Sequence, residues 1–365
     1  MLLKIFVFIV SIPSIVLASS ISISVKYSEA ANTFVIMDCV SGWWDKTFCQ
    51  DEGGAYQRYW IDRFGLSPEE QALLKKYDAL RQQYYKGLGL PKDDIGPYKD
   101  VLFAKKSGMN EDQIAPAFYG SDNLDQAFKK LEKILAKDDF EFLRNFYSHF
   151  KPKYEVLLKD SEPFKTKVED LNKKIRNKNY SSFFSKISKY YSVDENMNYV
   201  VLYNWYPPLD RDSAFPADKF LVFQQNPKKH IKTKDEDVIF HEIVHTISAR
   251  QPQKQKEAIS NAFLKSCPSV NDKIVGQYRG RILEEPLAVA IGQIEFLKEF
   301  FPERLKLDSK LYNNPWISSF AKLVHPIVKD ELMKNLNFSE ETGKKLGFLC
   351  NEFFQASSFM ESAQK

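Results

Sequence analysis

The stretch that most constrains this chain is "VIFHEIVHTISAR", residues 238–250. Of only five histidines, His241 and His245 stand four residues apart here, with Glu242 directly after the first. Positions i and i+4 share one face of a helix, a turn apart. A helix through this stretch therefore presents two imidazoles to one ion, a zinc-ligand arrangement. Glu242 can reach a water on that ion without binding the ion itself. Zinc lowers the pKa of such a water toward about 7, and the glutamate takes its proton. The bland alternative is a helix with two half-buried histidines, yet Ile243, Val244 and Ile247 already supply an apolar face. Asp235, Glu236 and Asp237 suit the first turn of the same helix, where exposed N–H groups favour negative charge.

A catalytic zinc needs a third protein ligand and an open fourth position. Six residues after His245 stands Gln251, which does not fill the role. The remaining source is "RILEEPLAVAIGQIEFL" at 281–297, an apolar helix with two glutamates near its start. Carboxylates are costly in such a place unless paired or ligating. Glu285 is the preferred ligand, because Ala288 and Gly292 fall on its face and let two helices approach closely. Glu284 shares its face with Leu287 and Ile291 and is held in reserve. Pro286 starts or kinks the helix at the glutamates. The competing explanation is that both glutamates are first-turn residues favoured by the helix dipole.

"HEIVH" followed some forty residues on by "EEPLA" resembles the gluzincin zinc metallopeptidases, the group of thermolysin and the aminopeptidase-N-like enzymes. The resemblance covers about residues 198–300. It implies a zincin-like core with Zn2+ on His241, His245 and Glu285, and Glu242 as general base toward a peptide or protein substrate. It also implies an edge strand that pairs with extended substrate, a role assigned to "KFLVFQQ", and a Tyr or His that stabilises the oxyanion. His325, in "KLVHPIVKD", is the first candidate for that role and Tyr278 the second. The chain departs from the pattern in two places. Val289 stands where the thermolysin type carries an aspartate that buttresses the first histidine, and Pro286 where the aminopeptidase type has glycine. His149 and His230 have no evident partners and read as surface residues. A cell-wall peptide amidase and a catalytically inactive zincin-like binding module are the alternatives.

Elsewhere the sequence sets the frame. The 365 residues, 44% hydrophobic, are enough for a sizeable core. A net charge of +4 argues against a dedicated nucleic-acid binder. Residues 1–18 have the grammar of a cleavable signal peptide, with Lys4, an apolar stretch from Ile5 to Leu17 and a cut after Ala18. Export to the periplasm or outside the cell follows, with no membrane span expected in the mature chain. That compartment makes Cys39–Cys49 and Cys267–Cys350 the attractive pairing of the four cysteines, with four buried thiols as the alternative. Strands are expected at 21–27, 33–38, 198–208 and 219–227. Helices are expected from Ser67, through 122–150, from Pro163, and at 253–266, 279–300, 313–336 and 339–357. The expected fold class is α+β, predominantly helical, with a small antiparallel sheet. A short β element and helical region at 19–195 precede a zincin-like catalytic domain with C-terminal helices at 196–365. Oligomeric state is left open.

Overall fold

The computed structural model describes residues 21–43, 49, 51–85, 112–193, 196–208, 212–228, 235–270, 281–306 and 310–363. The expected leader, His230 and Tyr278 lie outside the described residues. Strand β1 (Ile21–Tyr27) leads into α1 (Glu29–Ser41). Then come α2 (Asp51–Phe64), α3 (Pro68–Gln83), α4 (Ala115–Tyr119), α5 (Leu124–Leu131), α6 (Lys137–Asp160), α7 (Pro163–Asn177) and α8 (Tyr180–Tyr190). Strands β2 (Met197–Trp205), β3 (Ser213–Ala217) and β4 (Phe220–Gln225) follow. Next are α9 (Asp235–Ala249), α10 (Gln253–Ser266) and α11 (Glu284–Val289), which runs through a π turn (Ala290–Glu295) into α12 (Phe296–Phe300). Helices α13 (Pro315–Met333) and α14 (Glu340–Ala363) close the described fold.

The class is α+β and mostly helical, as expected, but the sheet is mixed. Its order is β1-β2-β4-β3, with β1–β2 and β2–β4 parallel and β3–β4 antiparallel. The long helical run between β1 and β2 is the kind of crossover that parallel pairing requires. Ile21 pairs with Met197 and Tyr27 with Tyr203, so strands from both sides of residue 195 share one sheet. "KFLVFQQ" is not an edge strand: β4 lies between β2 and β3. The edges are β1 and β3, and β3, "SAFPA", lies in a region that reads as a polar turn. Pro216 disguises it, since proline cannot donate to a ladder and is tolerated only at such an edge.

The second correction concerns Thr33–Asp38, read as a strand and found inside α1. Ser28 caps that helix at the Ala31 N–H, and every residue from Ala30 to Val40 is buried. A helix buried all round shows no polar stripe, so periodicity cannot separate it from a core strand. The expected helix through 122–150 is two helices, α5 and α6. Ser67 and Glu70 form the capping box expected at the start of α3.

Helices cover both faces of the sheet. Tyr199, Val201, Tyr203, Leu221 and Phe223 pack in a core with α7, α8, α9, α11 and α13. Leu202, Val222 and Phe220 pack on the other face with α1, α3 and α6. Both expected disulfides are present: Cys39–Cys49 and Cys267–Cys350. Among the described residues no helix is long and apolar enough to cross a membrane.

Candidate metal centre

Helix α9 is fixed at its start by charge. Asp235 accepts from Tyr203 Oη and Gln225 Nε2, each at 3.0 Å, which ties the helix to the carboxyl ends of β2 and β4. Glu236 pairs with Lys174 at 2.7 Å, and Arg304 bridges Glu236 and Asp237 at 3.3 and 3.0 Å. These acids also meet the free N–H groups of the first turn. The helix so held points its His241–His245 face at α11 and the π turn.

Glycine makes the approach possible. A Cβ on Gly292 would lie 2.7 Å from His241 Cα and 2.9 Å from both His241 N and Phe240 O. Those neighbours are backbone and cannot swing away. The close helix contact expected from Ala288 and Gly292 is therefore real, and it sits at the first histidine.

Three side chains meet there. His241 Nε2 and His245 Nε2 are 2.9 Å apart, and Glu285 Oε2 lies 3.4 Å from each. All three residues are buried, and together they form a group that could hold a metal ion. The triangle suits one. Ligands at tetrahedral angles around a zinc 2.0–2.1 Å away stand about 3.3 Å from each other. Glu285 Oε2 completes no hydrogen bond although it is buried. Buried polar atoms are nearly always partnered, so a carboxylate oxygen left without a hydrogen bond between two imidazoles is a position that a cation could fill.

The surrounding groups orient the three. Glu284 Oε1 bonds His245 Nδ1 at 2.9 Å, so the reserve ligand instead holds the second histidine from behind. Arg281 donates to Glu285 Oε1 at 2.9 Å, leaving Oε2 turned toward the histidines. Burial opposes charge on His245, but Glu285 and Glu284 outweigh it and hold the imidazole well above its usual value. Burial likewise works against the Glu285 charge, yet His245 and His241 keep that carboxyl well below its usual range. Glu242, half-buried, is held up by burial against the pull of His245 and His241. His241 Nδ1 finds no partner among the described residues.

His325 lies elsewhere. Its Nε2 bonds Glu295 Oε2 at 2.6 Å, at the far end of the π turn. The ring beside the ligands is Tyr312, tilted 32° to His241 with centroids 5.8 Å apart. It sits in an irregular stretch with no periodicity to flag it. His149, read as partnerless, stands 3.9 Å from Glu70. Comparison of the chain with family models, curated proteins and solved structures finds no match, so the motif and this geometry stand by themselves.

Proposed function

We propose that this chain is a zinc-dependent hydrolase of peptide bonds, with His241, His245 and Glu285 as ligands and Glu242 as general base. The observation that carries the reading is the convergence of two Nε2 atoms and an orphaned carboxylate oxygen within 3.4 Å of one another. Zinc, when bound, supplies a Lewis acid that acidifies water and polarises a carbonyl.

The chain's own groups do the rest. Glu242 follows His241 on the helix and carries a carboxyl whose affinity for protons burial has raised. It takes a proton from the attacking water and returns it to the departing amine. Glu284 keeps the proton of neutral His245 on Nδ1, so Nε2 offers its lone pair to the centre. Arg281 makes Glu285 a one-oxygen donor. Tyr312 takes the oxyanion-stabilising role in preference to His325, because it lies against His241. The outer side of β3, which no described strand covers, takes extended peptide by backbone pairing. Two disulfides are compatible with an oxidising compartment, and the chain acts in the periplasm or outside the cell.

The test is metal content by mass spectrometry on purified protein, with His245→Ala and Glu285→Ala beside it. About one zinc per chain, lost in both variants, supports the site. Hydrolysis of a peptide library, abolished in Glu242→Gln with zinc retained, supports the chemistry. Cleavage confined to cell-wall peptides narrows the enzyme to an amidase. A wild-type chain that takes up no zinc from a zinc buffer refutes the reading.

A further inference from the structure

The pair of buried His325 and half-buried Glu295 touches none of the ligands, yet it is attached to them. Glu295 is the last residue of the π turn, Gly292 lies in the middle of that turn against His241, and Glu285 is the second residue of the helix that runs into it. A π turn holds one residue more than an α turn, so it rotates everything after it by roughly 100°. Continued as a plain α-helix, the segment would carry Glu295 around by that angle and away from α13. The pair is therefore made only in the π register. The same register sets which backbone atoms of the segment lie against His241.

We propose that Glu295 and His325 form a positioning clamp for the metal centre. The clamp holds the π turn, and the turn fixes the spacing between α11, which carries Glu285, and α9, which carries the two histidines. This rests on the metal reading above. Three observations support it. The bond is short, at 2.6 Å, and mostly withdrawn from solvent, with side-chain exposures of 11% for His325 and 16% for Glu295. Helix α13 packs against both α11 and the π turn, so an anchor there acts on the segment that matters. Lys298 and Lys329 also face Glu295, but His325 contributes most to holding its carboxyl below the usual value once burial is overcome.

The experiment compares Glu295→Gln, His325→Ala and the double variant with wild type in the full chain. Zinc dissociation constants are read by competition with a chromophoric chelator, and unfolding is followed separately in EDTA. Glu331→Gln serves as the control. Glu331 is a buried acid on the same helix that bonds Tyr190 and Thr342 instead. The clamp predicts roughly tenfold or greater weakening of zinc in both single variants, the usual consequence of losing an outer-shell partner. The double variant should be no weaker than the worse single. Glu331→Gln should lower unfolding stability and leave zinc affinity alone. Zinc affinity within about twofold of wild type in both singles overturns the clamp. Equal zinc loss in Glu331→Gln overturns it too, because the effect would then be general destabilisation. A wild type that binds no zinc refutes the metal reading and the clamp with it, an outcome distinct from the other two.

Discussion

Gly292→Ala is the sharpest perturbation available at the centre. The new Cβ would stand 2.7 Å from His241 Cα, where ordinary contact begins at 3.4 Å. The two backbones must separate by about 0.7 Å, the difference of those two distances. Ligand distances tolerate only about 0.2 Å before a metal site degrades. The displacement is several times that margin and acts directly at one ligand. Overpacking costs about 1–3 kcal/mol, and the better helix propensity of alanine returns up to about 1 kcal/mol of it. Net destabilisation is thus expected at about 1–2 kcal/mol by urea unfolding in EDTA. Zinc affinity should fall about tenfold or more in a chelator competition. Gly343→Ala provides the contrast. Its Cβ would meet the Ile259 carbonyl oxygen at 2.7 Å, between α14 and α10. It should cost comparable stability and leave zinc binding unchanged. Unchanged zinc affinity in Gly292→Ala, or equal loss in both variants, would refute the reasoning.

Zinc binding should release about one proton near neutral pH, because His245 is held protonated by Glu285 and Glu284 and must give up that proton to ligate. Apparent affinity should therefore rise with pH up to the raised pKa of His245; calorimetry in buffers of different ionisation enthalpy measures the release, and none detected would sink the assignment. In the metal-free chain Glu285, with its lowered pKa, contributes stability that is present above about pH 4.5 and lost as pH falls through its folded value. Glu285→Gln should flatten that acid limb in unfolding measurements. Arg81 is fully buried between Asp38 at 2.9 Å and Asp112 at 2.7 Å. Arg81→Met leaves two facing carboxylates and should cost about 3–5 kcal/mol by urea unfolding; a loss under about 1 kcal/mol would contradict the ion-pair account. Asp38 is pushed up to about 6 by burial, against the pull of Arg81. Its contribution to stability should fall as pH rises from about 3.8 to 6, and Asp38→Asn should remove that slope.

Much of the centre is legible in the residues because its parts are local. The i, i+4 histidines need only one helix, and the small residues at 288 and 292 announce a close approach. The outer groups are less legible because they depend on rotation about helices. Glu284 and Glu285 are adjacent carboxylates, and only the packing decides that one faces the histidines from the centre and the other bonds His245 from behind. Tyr312 comes from an irregular segment without pattern. The π turn has no signature in "AIGQIE", and its register is what takes Glu295 to His325. For the fold, β1 follows from alternation, β2 and β4 from runs of β-branched and aromatic residues between turns, and α3 from its capping box. Parallel pairing does not, because it depends on how the intervening helices cross over. Helix α1 fails for the opposite reason, since total burial erases its periodicity.

Glu242, Glu284 and Glu285 gather three carboxyls with Arg281, His241 and His245 among mostly buried groups, where burial makes charge expensive. The two imidazole Nε2 atoms, 2.9 Å apart, share one hydrogen bond, which protonated His245 donates to His241. A structural ion-pair network would be expected to satisfy its oxygens as well. This one leaves Glu285 Oε2 without a hydrogen bond, 3.4 Å from both Nε2 atoms. A cation held by His241, His245 and Glu285, as these three donors could hold one, would give that oxygen a partner and take both Nε2 lone pairs. The unsatisfied oxygen facing two histidine nitrogens is therefore what separates this cluster from a closed salt-bridge network.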